Sequence, residues 1–587
     1  MPDKVVAPLP EKVLFLVTTN KAGYSYVIAY HNKWDPEKRR AKRDFKRHVG
    51  RLLPDQHVVI SPVFARDYPE FADQDWVWDN ENKNLVPVEK MPPLPVKRGP
   101  EPAVWTELQE ATEQSFGASW MAQQMAQKSG MLQDLEEVFG KSKAQQLFNL
   151  AIYTLLTRSS AMADYVDWQP GFWAKNPQRL TSQRISELLA EISETDIETY
   201  FARRYQHCRK QWQKLPHVLP PQFALDSTSI ATYSRSIDNA AYGHAKQNPE
   251  LKQVNVTLVC DQLSGEIFYS QIDEGSINDV TLLPQVLARM VQADIKLDET
   301  LLVTDRGYAS IRNVQTMIDT DLLFVQGTRL LEDSLQRAIR KYKESFSDPA
   351  FCSSRWEVGA RTIKETWQQS TDAGYVTKTV YVHLYFDAQL QHRQRFDLMK
   401  SVDEVLAAKQ RGRKVDSVLW QSYGKYVREV SEGGSTRWCR DDEKLRRDTE
   451  FMGYFALRSN TVTDPFTALE IYRRRNMVEL NFDALKTDIG GDRLRATESA
   501  YRGKLFLFLL ATSVRMMMRT AATRNEAKVR LQLPDESVQR ALMQLSNLRI
   551  KRRPQANSWI VGVVTKKQRD LLTLLDVPLP PKTLSRS

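Results

Sequence analysis

Cysteine is scarce in this chain: its four cysteines stand far apart, and no two of them are spaced as Cys-x2-Cys. This argues against a disulfide framework and a zinc site, and makes a reducing intracellular compartment the natural setting. The first ten residues lack the charged and then apolar run of a signal peptide. The longest apolar run, residues 505–511, is far too short to cross a bilayer. We therefore expect a soluble cytoplasmic protein without a membrane partner.

Positive charge, by contrast, is in excess. The formal net charge is +11 and the pI is near 9.2, which points to a polyanionic partner, nucleic acid before an acidic membrane surface. At 587 residues and 42% hydrophobic content, the chain can bury a large core and should hold three or more domains. With 26% charged residues, nothing suggests global disorder.

The N-terminal region, residues 1–91, begins with two short apolar runs that predict a β-hairpin over residues 11–30. Asp35-Pro36 is then expected to open a basic helix. Such a run is as typical of a solvated face as of an element that contacts DNA phosphates. The possible DNA contacts in this helix are Arg39, Arg40, Arg43 and Arg47.

Two further segments precede the change in pattern at residue 216. Proline-rich residues 92–102 cannot continue a helix or a central strand and are expected to form a linker. Residues 103–215 repeat apolar side chains at helical spacing, and Thr181 is expected to cap one of the helices. These short helices could form a helix-turn-helix DNA reader or an ordinary helical bundle, since no basic recognition helix stands out.

The order of apolar runs and helical segments in residues 216–330 predicts an α/β domain with a mixed sheet. Asp226 and Asp305 each follow a short apolar run, so both are expected at strand ends, where ligands usually bind in such sheets. A largely β insertion at 331–450 is expected to interrupt this pattern, which resumes at 451–525. A small C-terminal domain is expected at 526–587.

A later helix carries the most informative stripe of side chains. It is expected to begin at Asp464-Pro465, where Asp can cap and Pro suits the first position, and to end at Gly490-Gly491. Because helical residues advance by about 100° each, a hydroxyl, two cations and a carboxylate share one narrow face. These are Tyr472, Arg475, Glu479 and Lys486. The alternative is a solvated helix of mixed charge. An apolar stripe should bury the helix against a core: Val478, Phe482, Leu485 and Ile489.

Three carboxylates thus come from separate elements: Asp226, Asp305 and Glu479. Oxygen ligands of this kind suit Mg2+ or Mn2+. Two such ions about 4 Å apart can clamp the attacking and departing oxygens of an in-line phosphoryl displacement. The sequence therefore indicates two-metal chemistry on a phosphodiester.

These features together resemble the DDE transposases of bacterial insertion sequences, whose catalytic core has an RNase H-like fold akin to retroviral integrases. The similarity is to the branch with the signature Tyr-x2-Arg-x3-Glu-x6-Lys and a β-rich insertion, and no member of that signature is missing here. It covers roughly residues 220–520. It is carried by residues 224–228 and 303–308, the four signature residues and residues 502–508.

The resemblance implies that Asp226, Asp305 and Glu479 are the catalytic metal ligands for two Mg2+ or Mn2+ ions. Tyr472, Arg475 and Lys486 would hold the phosphates beside the cleaved bond. The implied reaction is hydrolytic nicking at the transposon end, followed by attack of the freed 3′-hydroxyl on target DNA. The implied assembly is a homodimer on paired transposon ends, in the cytoplasm of a bacterium and associated with the nucleoid.

Many relatives with this signature pass through a hairpin end, with a flipped base stacked on an aromatic residue of the insertion. Four tryptophans could serve, and the sequence does not choose among them: Trp356, Trp367, Trp420 and Trp438. Two other functions stay open. One is a domesticated, non-catalytic DNA-binding protein, against which the intact acidic set argues. The other is an RNase H-like nuclease that cleaves without strand transfer, which fold alone does not exclude.

Overall fold

The computed structural model describes residues 6–90, 111–213, 220–243, 250–296, 299–432, 435–554 and 556–585. The chain forms two compact units, Met1–Gln109 and Glu110–Ser587. The linker expected at 92–102 lies outside the described residues.

In the described residues, the first unit is an antiparallel β-structure with a short α-helix. Its elements are β1 (Leu14–Thr19), β2 (Ser25–Asp35), β3 (Arg40–Leu52), β4 (His57–Ile60), α1 (Pro62–Asp67), β5 (Trp76–Asp79) and β6 (Asn84–Pro87). The six strands form one sheet in sequence order. Ser61 caps α1 by accepting the N–H of Phe64, and Phe64 packs with Phe45 and Tyr68 in the core of the unit.

The hairpin expected over residues 11–30 is confirmed, since β1 pairs with β2 from Leu14↔Tyr30 to Thr19↔Ser25. The basic helix expected after Asp35-Pro36 is wrong, because residues 40–52 form strand β3. The carboxylate of Asp35 accepts the N–H groups of Glu37 and Lys38, which makes a turn rather than a helix cap. Phe45 and Val49, the buried apolar side chains of this segment, are four apart, which is compatible with either period. The pairing of β3 with β2, a long-range property, decides for the strand.

The second unit opens with a helical layer. It comprises β7 (Thr112–Ser115) and helices α2 (Gly117–Lys128), α3 (Met131–Phe139), α4 (Lys141–Thr157), α5 (Tyr165–Trp168), α6 (Ser182–Ala190) and α7 (Glu194–Trp212). The expected helical pattern is therefore confirmed. Thr181 caps α6 as expected, by accepting the N–H of Arg184. Apolar side chains of this layer join one large core with residues of the central sheet.

The central sheet follows. Its strands and helices are β8 (Gln222–Thr232), β9 (Gln253–Asp261), β10 (Ile267–Glu274), α8 (Asp279–Gln292), β11 (Leu301–Thr304), α9 (Ile311–Asp319) and β12 (Leu323–Thr328). Strand β11 runs parallel to β8 and β12, whereas β9 is antiparallel to both of its neighbours, β8 and β10. The expected mixed sheet is therefore confirmed.

The segment 331–450 contains α10 (Asp333–Tyr342), β13 (Cys352–Ser353), β14 (Val358–Thr371), β15 (Gly374–Phe386), α11 (Ala388–Gln410), α12 (Ser417–Tyr423), β16 (Val427–Glu432), β17 (Ser435–Arg440) and α13 (Asp442–Asp448). A largely β insertion is therefore a wrong description of it. Helix α11 is 23 residues long, and its buried side chains Leu398, Val402 and Val405 recur at helical spacing. This local signal indicates a helix where a largely β insertion was expected.

The chain then returns to the centre of the unit with β18 (Tyr454–Ser459), α14 (Pro465–Arg474), α15 (Asn476–Asp483), β19 (Arg493–Leu494) and α16 (Tyr501–Val529). The central sheet has the order β10-β9-β8-β11-β12-β18-β15-β14-β13, with β19 beside β8. The long strands β14 and β15 thus extend the central sheet. Their pairing with β18 is long-range, so local sequence does not reveal it.

One helix among the described residues, α16, is long and apolar enough by length and composition to cross a membrane. However, 83% of its most apolar stretch is buried inside the protein. The core helix of a soluble protein passes the same test of length and composition. The last elements are α17 (Val538–Ser546), β20 (Arg549–Arg552), β21 (Ser558–Val561), α18 (Lys566–Leu574) and β22 (Thr583–Ser585). Strand β20 pairs with both β7 and β21, which joins the tail to the helical layer.

Candidate active site

Two aspartates lie side by side on adjacent strands of the central sheet. Strands β8 and β11 are parallel, and Leu225 pairs with Thr304. Asp226 is the next residue of β8, and Asp305 directly follows the last residue of β11, so the two acids come directly after the same register pair. The fold thus brings together two acids that are 79 positions apart in the chain.

Asp226 does not stand at a strand end, as the sequence suggested. Strand β8 has eleven residues and continues through Ser227 and Thr228 to Thr232, paired with β9 along its length. The polar run after Asp226 looks like a strand end, but its backbone stays in the sheet. Asp305, by contrast, follows the last residue of β11 as expected.

The helix expected from Asp464 to Gly490 is present in two parts. Asp464 caps it as expected by accepting the N–H of Thr467. The helix is interrupted at Arg475, where α14 ends and α15 begins, and a turn of π-helix follows at Ala484–Asp488. The apolar stripe is buried as expected: Val478, Phe482, Leu485 and Ile489 are at most 7% exposed.

Two of the four signature side chains contact the two aspartates, and a third is linked to them through Arg475. The Tyr472 hydroxyl donates to Asp305 Oδ1 at 2.8 Å. Arg475 Nη1 donates to Asp226 Oδ2 at 2.7 Å, and its Nη2 donates to Glu479 Oε1. The Arg475 guanidinium therefore links the carboxylates of Asp226 and Glu479, and the Tyr472 hydroxyl binds the carboxylate of Asp305.

The fourth signature residue, Lys486, does not join this network. It lies in the π-helical turn, whose wider winding rotates it away from the face shared in an ideal α-helix. Burial lowers the pKa of its ammonium, while Asp483 and Asp492 act in the opposite direction. Among the residues that the structure describes, no hydrogen bond or ion pair holds this ammonium group.

Burial governs the electrostatics of the site. It raises the pKa of Asp226 from 3.8 to about 6; Arg475 opposes this rise, and the negative charge of Asp305 adds to it. For Arg475, burial disfavours the cation, but Asp226 and Asp305 outweigh it and the pKa is raised. Burial, and then Asp305, also raise the pKa of Tyr472. The site therefore holds a carboxylate whose charge is poorly compensated by the protein.

This has a consequence for stability in metal-free buffer. The folded protein binds a proton at Asp226 more tightly than the unfolded chain, so the resulting stability is complete below pH about 4 and is lost as the pH rises through about 6. Relative to Asp226→Asn, the wild type should lose up to about 3 kcal/mol between these limits. Urea unfolding of both proteins in EDTA across this range measures the difference. If the difference in free energy of unfolding between the two proteins does not vary with pH, the pKa of Asp226 is not raised in the folded protein.

Further residues support the aspartates and were missed from sequence. Ser227 donates to Asp279 Oδ1 at 2.6 Å, so a fourth carboxylate, at the start of α8, lies behind the site. The buried hydroxyl of Tyr308 has no hydrogen-bond partner within the described part of the chain. Gly327 leaves room for Tyr472: a Cβ there would lie 2.7 Å from the Tyr472 hydroxyl. Only the N-terminal position of Asp279 in α8 gave a local signal.

A cavity of about 820 Å³ adjoins the site. Asp305 and Tyr472 line it together with Arg306 and Arg329. The guanidinium of Arg329 donates to the carbonyl oxygen of Arg306 at 3.3 Å. Both arginine side chains are exposed. The cavity therefore offers positive charge beside Asp305.

The four candidate tryptophans lie in different places. Trp356 packs against the same cluster of apolar residues as Tyr472, and the guanidinium groups of Arg355 and Arg473 lie over its ring. Trp367 packs against another cluster. Trp420 and Trp438 contact each other edge to face in a third region, with Lys409 over both rings. Of the four, only Trp356 shares a cluster with a signature residue.

The donor set suits a hard divalent cation. All three candidate ligands are carboxylates, and Asp226 is a buried acid whose charge a metal ion would stabilise. As the side chains stand, no group of three or more His, Cys, Asp or Glu residues in the described ranges is arranged to hold a metal ion. Arg475 binds both Asp226 and Glu479. Each of these contacts occupies one carboxylate oxygen, and a carboxylate that ligates a metal is commonly hydrogen-bonded as well, so Arg475 lies where it would orient the ligands of a bound ion.

The central part of the chain matches a known family. The family model for the transposase DDE domain matches residues 219–514, half of the chain. Among solved structures, a piggyBac transposase synaptic complex with hairpin DNA is similar with a TM-score of 0.35 and 9% identity, over 69% of this chain and 70% of that chain. No curated protein matches. The matched domain contains Asp226, Asp305 and Glu479, and the chain belongs to the family of transposases with a DDE domain.

Proposed function

We propose that this protein is a metal-dependent DNA transposase of a bacterial insertion sequence, which cuts at the ends of its element and joins the 3′-hydroxyl ends to target DNA. One observation carries the proposal. Asp226 and Asp305 come directly after the same register pair, and Arg475 ties Glu479 to Asp226. Three acids from separate parts of the chain thus converge in the matched domain, which we propose has an RNase H-like core.

In this proposal Asp226, Asp305 and Glu479 hold two Mg2+ or Mn2+ ions. Such ions activate the attacking oxygen and neutralise charge on the departing one. Arg475 keeps these two acids together before the metal binds, because its guanidinium donates hydrogen bonds to Asp226 and Glu479 at once. Tyr472 fixes the orientation of Asp305 through its hydrogen bond.

The cations around the acids are proposed to hold DNA phosphates. Arg475 becomes free to bind a phosphate once it releases a carboxylate, and a guanidinium can do so through two parallel hydrogen bonds. The ammonium of Lys486, which is held by no described residue, suits a second phosphate. The cavity beside Asp305 gives room for the backbone, with Arg306 and Arg329 on its wall. Trp356 is the best placed of the four tryptophans to stack a flipped base, because it packs against the same apolar cluster as Tyr472.

The partners are proposed to be transposon-end DNA and target DNA, since a basic chain of this family acts on a polyanion. Two ends must be held together for coordinated joining, so a homodimer is proposed. The protein would act in the bacterial cytoplasm at the nucleoid. The expected N-terminal contacts, Arg39, Arg40, Arg43 and Arg47, remain proposed DNA contacts, although they lie in and beside a strand.

The decisive experiment incubates purified protein with plasmid DNA that carries the ends of its own element, with Mg2+ or with EDTA. We expect nicks at the element boundary and joined products, both only with the metal. Nicks without joined products would favour the RNase H-like nuclease. Binding without any cutting under Mg2+ or Mn2+ would contradict the proposal and favour a non-catalytic DNA-binding protein.

A further inference from the structure

The N-terminal unit has a projecting two-stranded arm. Strand β1 covers β2 only from Ser25 to Tyr30, and β4 covers β3 only from Gly50 to Leu52. Beyond these limits β2 and β3 pair with each other, from His31↔Phe45 to Asp35↔Arg40, and with no other strand of the described residues. We call residues 31–44 the ribbon. At about 3.3 Å per residue, its paired part extends roughly 15 Å.

The ribbon and its base concentrate the positive charge of the unit. Residues 31–51 contain nine lysines and arginines against three acids, whereas residues 55–89 contain eight acids against two cations. Two of the three acids are already engaged: Asp35 accepts backbone N–H groups, and Asp44 is 2.8 Å from His31 Nδ1. None of the nine cations forms an ion pair with any described residue.

Two features of the ribbon are unfavourable when nothing is bound to it. Lys33 and Lys42 stand directly opposite each other across the strand pair, and like charges in that position are destabilising. Trp34 is 63% exposed near the tip, although a large apolar side chain is normally buried. A partner that is both polyanionic and able to accept an apolar contact would relieve both.

We propose that the ribbon enters the major groove of duplex DNA. That groove is about 12 Å wide and admits a two-stranded β-ribbon, and its floor carries base edges and thymine methyl groups. The cross-strand pairs define the two faces of the ribbon. Lys33, Lys42 and Arg40 share one face, and their long side chains reach the flanking phosphates. Asn32, Trp34 and Arg43 share the other face and lie against the bases.

The side chains of the second face fit base edges. An arginine can pair with both acceptors of guanine, and an asparagine can pair with adenine through two hydrogen bonds. Asn32 and Arg43 are direct cross-strand partners, so they would read adjacent base positions. Trp34 lies opposite the small Ala41, which leaves its ring free for a thymine methyl group or a sugar. The inference rests on the proposed function only in taking DNA as the partner.

The test measures binding of the full chain in EDTA, so that it does not depend on cleavage. The probes are a labelled duplex carrying the element end and a duplex of unrelated sequence. Lys33→Gln with Lys42→Gln should make the salt dependence of binding shallower, by about 0.9 in log–log slope for each phosphate that the variant no longer neutralises. Lys12→Gln with Lys21→Gln, two exposed lysines of the same unit outside the ribbon, is the matched control and should leave the slope unchanged.

Groove occupancy is tested by dimethyl sulfate, which methylates guanine N7 in the major groove and adenine N3 in the minor groove. The wild type should protect guanine N7 at the element end, and Asn32→Ala with Arg43→Ala should abolish that protection and reduce the preference for the end tenfold or more. An unchanged salt-dependence slope in the lysine variant and unchanged guanine N7 protection in the Asn32/Arg43 variant would overturn the proposal for the ribbon. That outcome would not contradict the proposed transposase function. Ribbon-dependent binding to phosphatidylserine vesicles with no effect on duplex binding would also overturn it. Ribbon-dependent DNA binding without any cleavage would instead contradict the proposed function alone.

Discussion

Replacing Glu479 by glutamine is expected to slow cleavage at the element ends by about a thousandfold while DNA binding stays close to that of the wild type. Glutamine keeps the shape of the side chain and can still accept from Arg475, but it lacks the charge that holds a divalent ion. Metal stabilisation of the charge that develops in the reaction is worth several kcal/mol, and about 4 kcal/mol corresponds to a thousandfold. The same loss is expected for Asp226→Asn and Asp305→Asn.

The matched control is Glu470→Gln. Glu470 lies on α14, before the interruption at Arg475, and its carboxylate pairs with Arg474 and Arg355. It is an acid of the same helical segment that takes no part in the carboxylate set, so its replacement should leave cleavage intact. The measurement is single-turnover cleavage of end DNA in Mg2+, with binding followed in EDTA. If Glu479→Gln cuts at more than a tenth of the wild-type rate, Glu479 is not a metal ligand.

The pair of aspartates shows what the sequence can and cannot predict. Short apolar runs before Asp226 and Asp305 identify two buried strands from local pattern alone. That the two strands are neighbours and in register follows from pairing across the sheet, which no local pattern contains. The continuation of β8 past Asp226 has the same origin, because β9 holds its polar residues in the sheet.

The signature helix was predictable at its start and on its buried face. Asp464 caps it, and Val478 and Phe482 are buried at the expected spacing. The interruption at Arg475 and the π-helical turn around Lys486 were not predictable, since an ideal wheel assumes an even 100° step. The interruption lies at Arg475, whose side chain contacts Asp226 on β8 and Glu479 four positions further along the helix. The contact with Asp226 is long-range, so no local pattern contains it.

In the N-terminal region the sequence predicted a helix where the structure has a strand. A run rich in Lys and Arg has good intrinsic helix propensity, and Asp-Pro is a good helix start. Residues 40–52 nevertheless form a strand, because β2 supplies hydrogen-bonding partners along most of their length. Of the four arginines predicted for a helix face, Arg40 and Arg43 therefore lie on opposite faces of the ribbon. Arg39 precedes β3, and Arg47 lies beyond the ribbon.

Replacing Arg204 by methionine is expected to destabilise the larger unit by about 3–5 kcal/mol, the usual cost of removing one partner from a buried ion pair. Arg204 lies on α7 and is only 1% exposed. Its guanidinium donates to Asp134 Oδ2 at 2.7 Å and to Glu266 Oε1 at 3.0 Å. It thereby fixes the helical layer to the turn between β9 and β10. Its removal takes the guanidinium away from two buried carboxylates, of which Asp134 keeps only the contact with His207 Nδ1 at 3.2 Å.

Two further variants separate this effect from a simple change in packing. Arg340→Met breaks an exposed pair with Glu450 and should change the unfolding midpoint little, because solvent screens exposed pairs. Adding Asp134→Asn and Glu266→Gln to Arg204→Met removes the uncompensated charges and should recover much of the stability, since a neutral buried set of similar volume is often as stable as the ion pair it replaces. Urea unfolding of the four proteins gives the comparison. If the triple variant is no more stable than Arg204→Met, the arginine stabilises this junction by packing, and the charge balance of Asp134 and Glu266 is not what holds it.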